Sequence, residues 1–151
     1  MKLAEALNLR ADLQKRIANL KERLIKNAKV QEGDIPSESP HTLINELNDN
    51  IIELENIIKL INKTNSSTYV DNESISDIIA KRDALGLKIS ILRSFVSESA
   101  DRIDRYSNKE IKILSTVNVA EMQKQVDNLS KEYRLIDTKL QGLNWTTDII
   151  S

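Results

Sequence analysis

Val119, Met122, Val126, Leu129, Tyr133, Ile136, Leu140 and Leu143 follow one another at alternating steps of three and four residues without an error. Side chains so spaced share one face of an α-helix, so the series predicts an amphipathic rod that needs a partner. Three more stripes of this kind precede it. The first is Leu3, Ala6, Leu13, Ile17, Leu20 and Leu24, with Arg10 at the one polar position. The second, Ile44, Leu47, Ile51, Leu54, Ile58 and Ile61, is unbroken. The third runs from Ile75 through Ile78, Leu85, Ile89, Leu92, Val96, Ser99 and Ile103 to Tyr106, interrupted at Arg82.

Glycine and proline are too scarce for the frequent turns of an all-β domain: Gly33, Gly86, Gly142, Pro36 and Pro40 are the whole set among 151 residues. The expected fold is therefore all-α, a single helical domain spanning residues 1–151 built as long antiparallel helical hairpins or a four-helix bundle. Its helices are predicted at about 2–28, 40–62, 74–106 and 119–143. Ser39 and Pro40 read as cap and first residue of the second helix. Asn62 to Thr68 reads as a polar connector, Tyr69 and Val70 as a short extended piece, and Ile111, Ile113 and Val117 as a short strand or extended arm. The fourth helix is expected to end near Gly142, with Asn144 to Thr147 starting a tail.

The third helix carries a second series, Ala80, Ala84, Leu87, Ile91 and Phe95, two positions off the first and so roughly 200° away around the axis. A helix that is apolar on two opposite sides is ordinarily buried on both. With only five aromatic residues, the core must be aliphatic, and a small elongated chain buries little of itself alone. A homo-oligomer is expected, with the third helix central to the subunit or the interface.

Lys and Arg number 22 against 23 Asp and Glu, for a formal charge of -1, which argues against a nucleic-acid binder, since that needs a clustered basic surface. The polar faces mix both signs, as in Lys124, Asp127, Lys131 and Glu132, so soluble packing accounts for these helices better than a membrane surface does. With no cysteine, and with Glu5 and Arg10 breaking any early hydrophobic segment, a cytoplasmic location is expected.

No enzymatic constellation is present. His41 is the sole imidazole, and it stands at a helix start without the Glu-x-x-His spacing that two-metal bundles use, so neither a metal site nor a nucleophile–base pair follows. No glycine-rich phosphate loop exists. No catalytic residue, metal or cofactor is assigned.

The chemistry that remains lies in the seam arginines and the polar segments. Burying an unpaired guanidinium costs several kcal/mol, so Arg10 and Arg82 each call for a carboxylate, a helix C-terminus or a bound anion. Asp12, Glu46, Glu53, Glu55 and Asp83 are the candidate carboxylates. Such a pair can simply fix helix register. Alternatively, the arginines and the Asn- and Thr-rich segments holding Asn62, Asn65 and Trp145 form a pocket for a small anion. On the first reading Trp145 covers the end of the core.

The opening Met1-Lys2-Leu3-Ala4-Glu5-Ala6-Leu7 with Arg10-Ala11-Asp12-Leu13-Gln14, the loop Asn27 to Gly33, the run Ile61-Asn62-Lys63-Thr64-Asn65, Arg82-Asp83, Thr116 to Val119 and the closing Asn144-Trp145-Thr146-Thr147-Asp148 resemble the bacterial septicolysin-like family over essentially the whole chain. The resemblance implies a helical protein, and its name a cytolysin. It brings no catalytic residues with it. The stretches that carry it include Arg10, Asp12, Asn62, Asn65, Arg82 and Trp145, which implies a shared pocket or interface role for them.

Overall fold

The computed structural model describes residues 1–101 and 111–151. Four long helices dominate it: α1 (Leu3–Lys26), α2 (Pro40–Ser67), α3 (Ile75–Ala100) and α4 (Val119–Thr146), with one two-stranded ribbon, β1 (Tyr69–Val70) and β2 (Glu73–Ser74). The all-α expectation holds. Chain contacts divide it into two compact units, residues 1–75 with 141–151, and residues 76–140.

In the first unit α1 and α2 lie side by side, and the aliphatic stripes do the packing: Leu3, Ala6, Leu13 and Leu20 are buried on α1, Leu43, Ile57 and Ile61 on α2. Arg23 near the end of α1 holds the intervening loop. Its Nε and Nη2 donate to the two carboxylate oxygens of Glu38 at 3.1 and 2.5 Å, a fork on a fork. Asn27, which caps α1, donates to the Arg23 carbonyl at 2.8 Å, and its Oδ1 accepts the Glu38 backbone N–H at 3.1 Å. The hydrogen bond to Arg23 holds the Glu38 carboxyl below the usual carboxylate range.

The chain ends are stitched together. The Leu3 N–H donates to the Thr147 carbonyl at 2.8 Å and the Ile149 N–H to the Met1 carbonyl at 3.0 Å, flanking an antiparallel bridge of Lys2 with Asp148. Lys2 Nζ lies 2.9 Å from Asp148 Oδ1, and that bond holds the Asp148 carboxyl below its ordinary value. The tail then reaches α2, where the Ile150 N–H donates to Thr64 Oγ1 at 3.0 Å.

That contact explains why Asn62 to Thr68 is not the connector expected from its composition. α2 continues to Ser67. Thr64 is fully buried and its hydroxyl donates to the Leu60 carbonyl at 2.8 Å, so it extends the stripe of Ile57 and Ile61 by one more step. Tertiary burial outweighs the weak helix preference of a Thr, Asn and Ser run. The turn comes later, at Asp71 and Asn72, both with φ above zero (52° and 67°), as a two-residue hairpin requires.

In the second unit α3 and α4 pack antiparallel, because Arg82 meets Asp137, Gly86 meets Tyr133 and Arg93 meets Ser130: as one number rises the other falls. The core there is Ile89, Val96 and Val126, joined by Leu85, Leu92, Met122, Leu129 and Tyr133. The remainder of the predicted third helix, with Ile103 and Tyr106, lies outside the described residues. No strand forms at residues 111–118: Ile111, Ile113 and Leu114 are exposed, and no backbone pairs with them among the described residues. α4 passes Gly142 and stops at Thr146, whose hydroxyl donates to the Gly142 carbonyl at 3.0 Å.

Thr64→Val keeps the volume and removes the acceptor of the Ile150 amide, so it should destabilise the fold by about 1–3 kcal/mol. Urea unfolding measures the loss, and hydrogen exchange at Ile150 should accelerate. The lowered carboxyls of Glu38 and Asp148 contribute stability that is present above their unfolded pKa, near 4, and disappears as pH falls through their folded values. The double variant Glu38→Gln, Asp148→Asn should therefore show a flatter dependence of the urea midpoint on pH below about 5, converging with the parent chain in strong acid.

Candidate functional site

Polar side chains gather on the facing sides of α3 and α4. Gly86, Ile89 and Arg93 recur at three- and four-residue steps on α3, and Ser130, Tyr133, Arg134 and Asp137 do so on α4, so each set forms one helical row. The two rows line a recess of about 430 Å³, walled by Gly86, Ile89, Arg93, Ser130, Tyr133 and Arg134. Arg93 Nη2 donates to Ser130 Oγ at 3.0 Å, tying the two rows together. The Tyr133 ring sits over Gly86 so closely that a Cβ there would lie 3.1 Å from Cε2. Glycine in a helix interior costs about 1 kcal/mol relative to alanine, and here it is what lets the ring approach.

One turn along, Arg82 bridges the helices. Its Nη1 donates to Asp137 Oδ1 at 3.0 Å and its Nε to Asp83 Oδ1 at 3.1 Å. Burial disfavours the charge, and the two carboxylates outweigh that, so the Arg82 pKa is raised on balance. The seam arginine is thus a register pin paired with carboxylates. Asp83 is among the partners expected from sequence; Asp137, the one on the facing helix, is not.

The other expected residues do not converge. Arg10 is half-buried on α1, and no carboxylate pairs with it among the described residues; Asp12 is exposed, and residues two apart on a helix point in different directions. Asn62 and Asn65 stand in the last turns of α2 rather than in a loop. Asn65 Oδ1 is buried without a hydrogen-bond donor. Trp145 is in the last turn of α4 and 62 % exposed, so it covers no core. Among the described residues no group of His, Cys, Asp or Glu could hold a metal ion, and no helix is long and apolar enough to cross a membrane.

Asp137 is less exposed than Asp83 and ties two helices, whereas Asp83 is the chain neighbour of Arg82. Asp137→Ala should cost about 1 kcal/mol and Asp83→Ala under about 0.5 kcal/mol, read from urea midpoints.

No curated protein matches the chain. Among solved structures, the crystal structure of a functionally unknown conserved protein from Corynebacterium diphtheriae superposes with a TM-score of 0.93 at 38% sequence identity, covering 99% of each chain. The sequence pattern of a family of unknown function, DUF6847, matches residues 10–149, and the chain belongs to that family.

Proposed function

We propose that this is a non-enzymatic, self-associating helical protein in which α3 of one copy packs antiparallel on α3 of a second. One observation carries the reading: the second apolar stripe of α3 faces solvent, with Leu87 64%, Ile91 59% and Phe95 40% exposed and Ala80 and Ala84 beside them. The opposite side of the helix is already occupied by α4. Contiguous apolar patches on soluble proteins mark contact sites.

The stripe is self-complementary. In a two-fold pairing centred between Leu87 and Ile91, each of these residues meets the other on the second copy, and the small Ala84 falls opposite Ser94, one residue from the bulky Phe95. Ala80 and Lys81 of one copy then lie against Ser97 and Glu98 of the next, so opposite charges flank the apolar centre at both ends. The stripe spans roughly 22 Å, less than the ~800 Å² per partner of a stable complex requires, so the association is weak and concentration-dependent.

Sedimentation velocity from about 10 μM to about 1 mM should show monomer passing to twice the monomer mass, and Leu87→Glu should abolish the shift while leaving the thermal unfolding midpoint of the monomer nearly unchanged. A mass that stays monomeric over that range refutes the proposal. So does dye release from liposomes by the parent chain and not by Leu87→Glu, which would assign the stripe to a lipid surface.

A further inference from the structure

We infer that the recess between α3 and α4 is a binding site for a small organic phosphate, with Arg93, Arg134 and Ser130 holding the phosphate and Tyr133 and Ile89 facing the organic group. The argument begins with charge. Arg93 and Arg134 both line the recess, and neither pairs with a carboxylate among the described residues. Acids on the same two helices are engaged elsewhere: Asp137 and Asp83 by Arg82, and Asp127, which accepts from Gln123. Both side chains are exposed and line one small recess, so an anion seated there would meet two guanidiniums at once.

The chemistry of the remaining wall selects the anion. Ser130 is 9% exposed, with a hydroxyl already fixed by Arg93 at 3.0 Å, so it is a preset hydrogen-bonding group rather than a loose surface serine. Two guanidinium forks and a hydroxyl match the several acceptor oxygens and near-double charge of a phosphomonoester better than the single charge of a carboxylate. The Tyr133 ring and the buried Ile89 add an apolar surface beside the cations. The recess falls within the ~300–1,000 Å³ range of small-molecule sites, more than an inorganic ion fills. Gly86 belongs to the same lining, and a Cβ there would press on the Tyr133 ring at 3.1 Å.

The site is separate from the solvent-facing stripe of α3, so the two readings fail independently. Isothermal titration calorimetry on the full chain uses phenyl phosphate and inorganic phosphate as probes. Phenyl phosphate should bind saturably, several-fold tighter than inorganic phosphate, and affinity should fall at least ~10-fold in Arg93→Met and in Arg134→Met. Arg16→Met, which removes a charge from the exposed face of α1, should leave the affinity unchanged. Should either recess variant unfold, amide shift perturbation in the parent chain gives the same answer: phenyl phosphate should move Arg93, Ser130, Tyr133 and Arg134. No saturable binding, equal affinity for the two probes, retained affinity in both recess variants, or shifts confined to other residues would each overturn the inference.

Discussion

Every helix of this chain presents an aliphatic ridge that has to be removed from water, and almost no aromatic side chain is available to fill irregular space. Leu, Ile and Val in register can interdigitate only if two helices run alongside each other for several turns. The result is two antiparallel pairings, α1 with α2 and α3 with α4, each with its buried leucines, isoleucines and valines in a single row. Burial of such a side chain is worth about 1.5–3 kcal/mol, which makes these rows the dominant favourable term and leaves polar groups to decide alignment.

Alignment is where the arginines act. An aliphatic ridge slides past another with little penalty, whereas a guanidinium that meets its carboxylate does so at one register. Arg82 with Asp137 sets that register for α3 and α4, and the Arg23–Glu38 fork returns the chain into α2 at a fixed point. In the same unit, the Lys2–Asp148 bridge and the Thr64–Ile150 hydrogen bond fix the position of the tail.

The four helices are legible in the sequence because the apolar steps are long and regular, and Arg82 is legible because a cation in such a row is conspicuous. Asn62 to Ser67 reads as a loop because those residues are weak helix formers, and the burial that makes them helical comes from a tail more than eighty positions away. Arg10 looks equivalent to Arg82 in the stripe, yet among the described residues only Arg82 of the two has carboxylates in place to receive it; that depends on what faces the helix, which a linear pattern does not encode. The recess was legible in part. Gly86, Ile89 and Arg93, like Ser130, Tyr133 and Arg134, are spaced as one face, but each row borders an apolar seam and reads as ordinary surface until the two are brought together.

α3 joins these features because it is asked to serve three faces at once. One side packs on α4, a second carries Arg82 and Arg93 toward the polar row of α4, and a third exposes Leu87 and Ile91. A helix needed only for the core of one chain would be polar on that third face, as the distribution of charge on α1 shows with Lys15, Arg16 and Glu22 outward. Retaining Gly86 in the same helix carries a further cost of about 1 kcal/mol in propensity. Both departures fall in one stretch of three turns: Gly86 admits the Tyr133 ring on one side, and the exposed Leu87 and Ile91 on the other are the surface that the proposed self-association would cover.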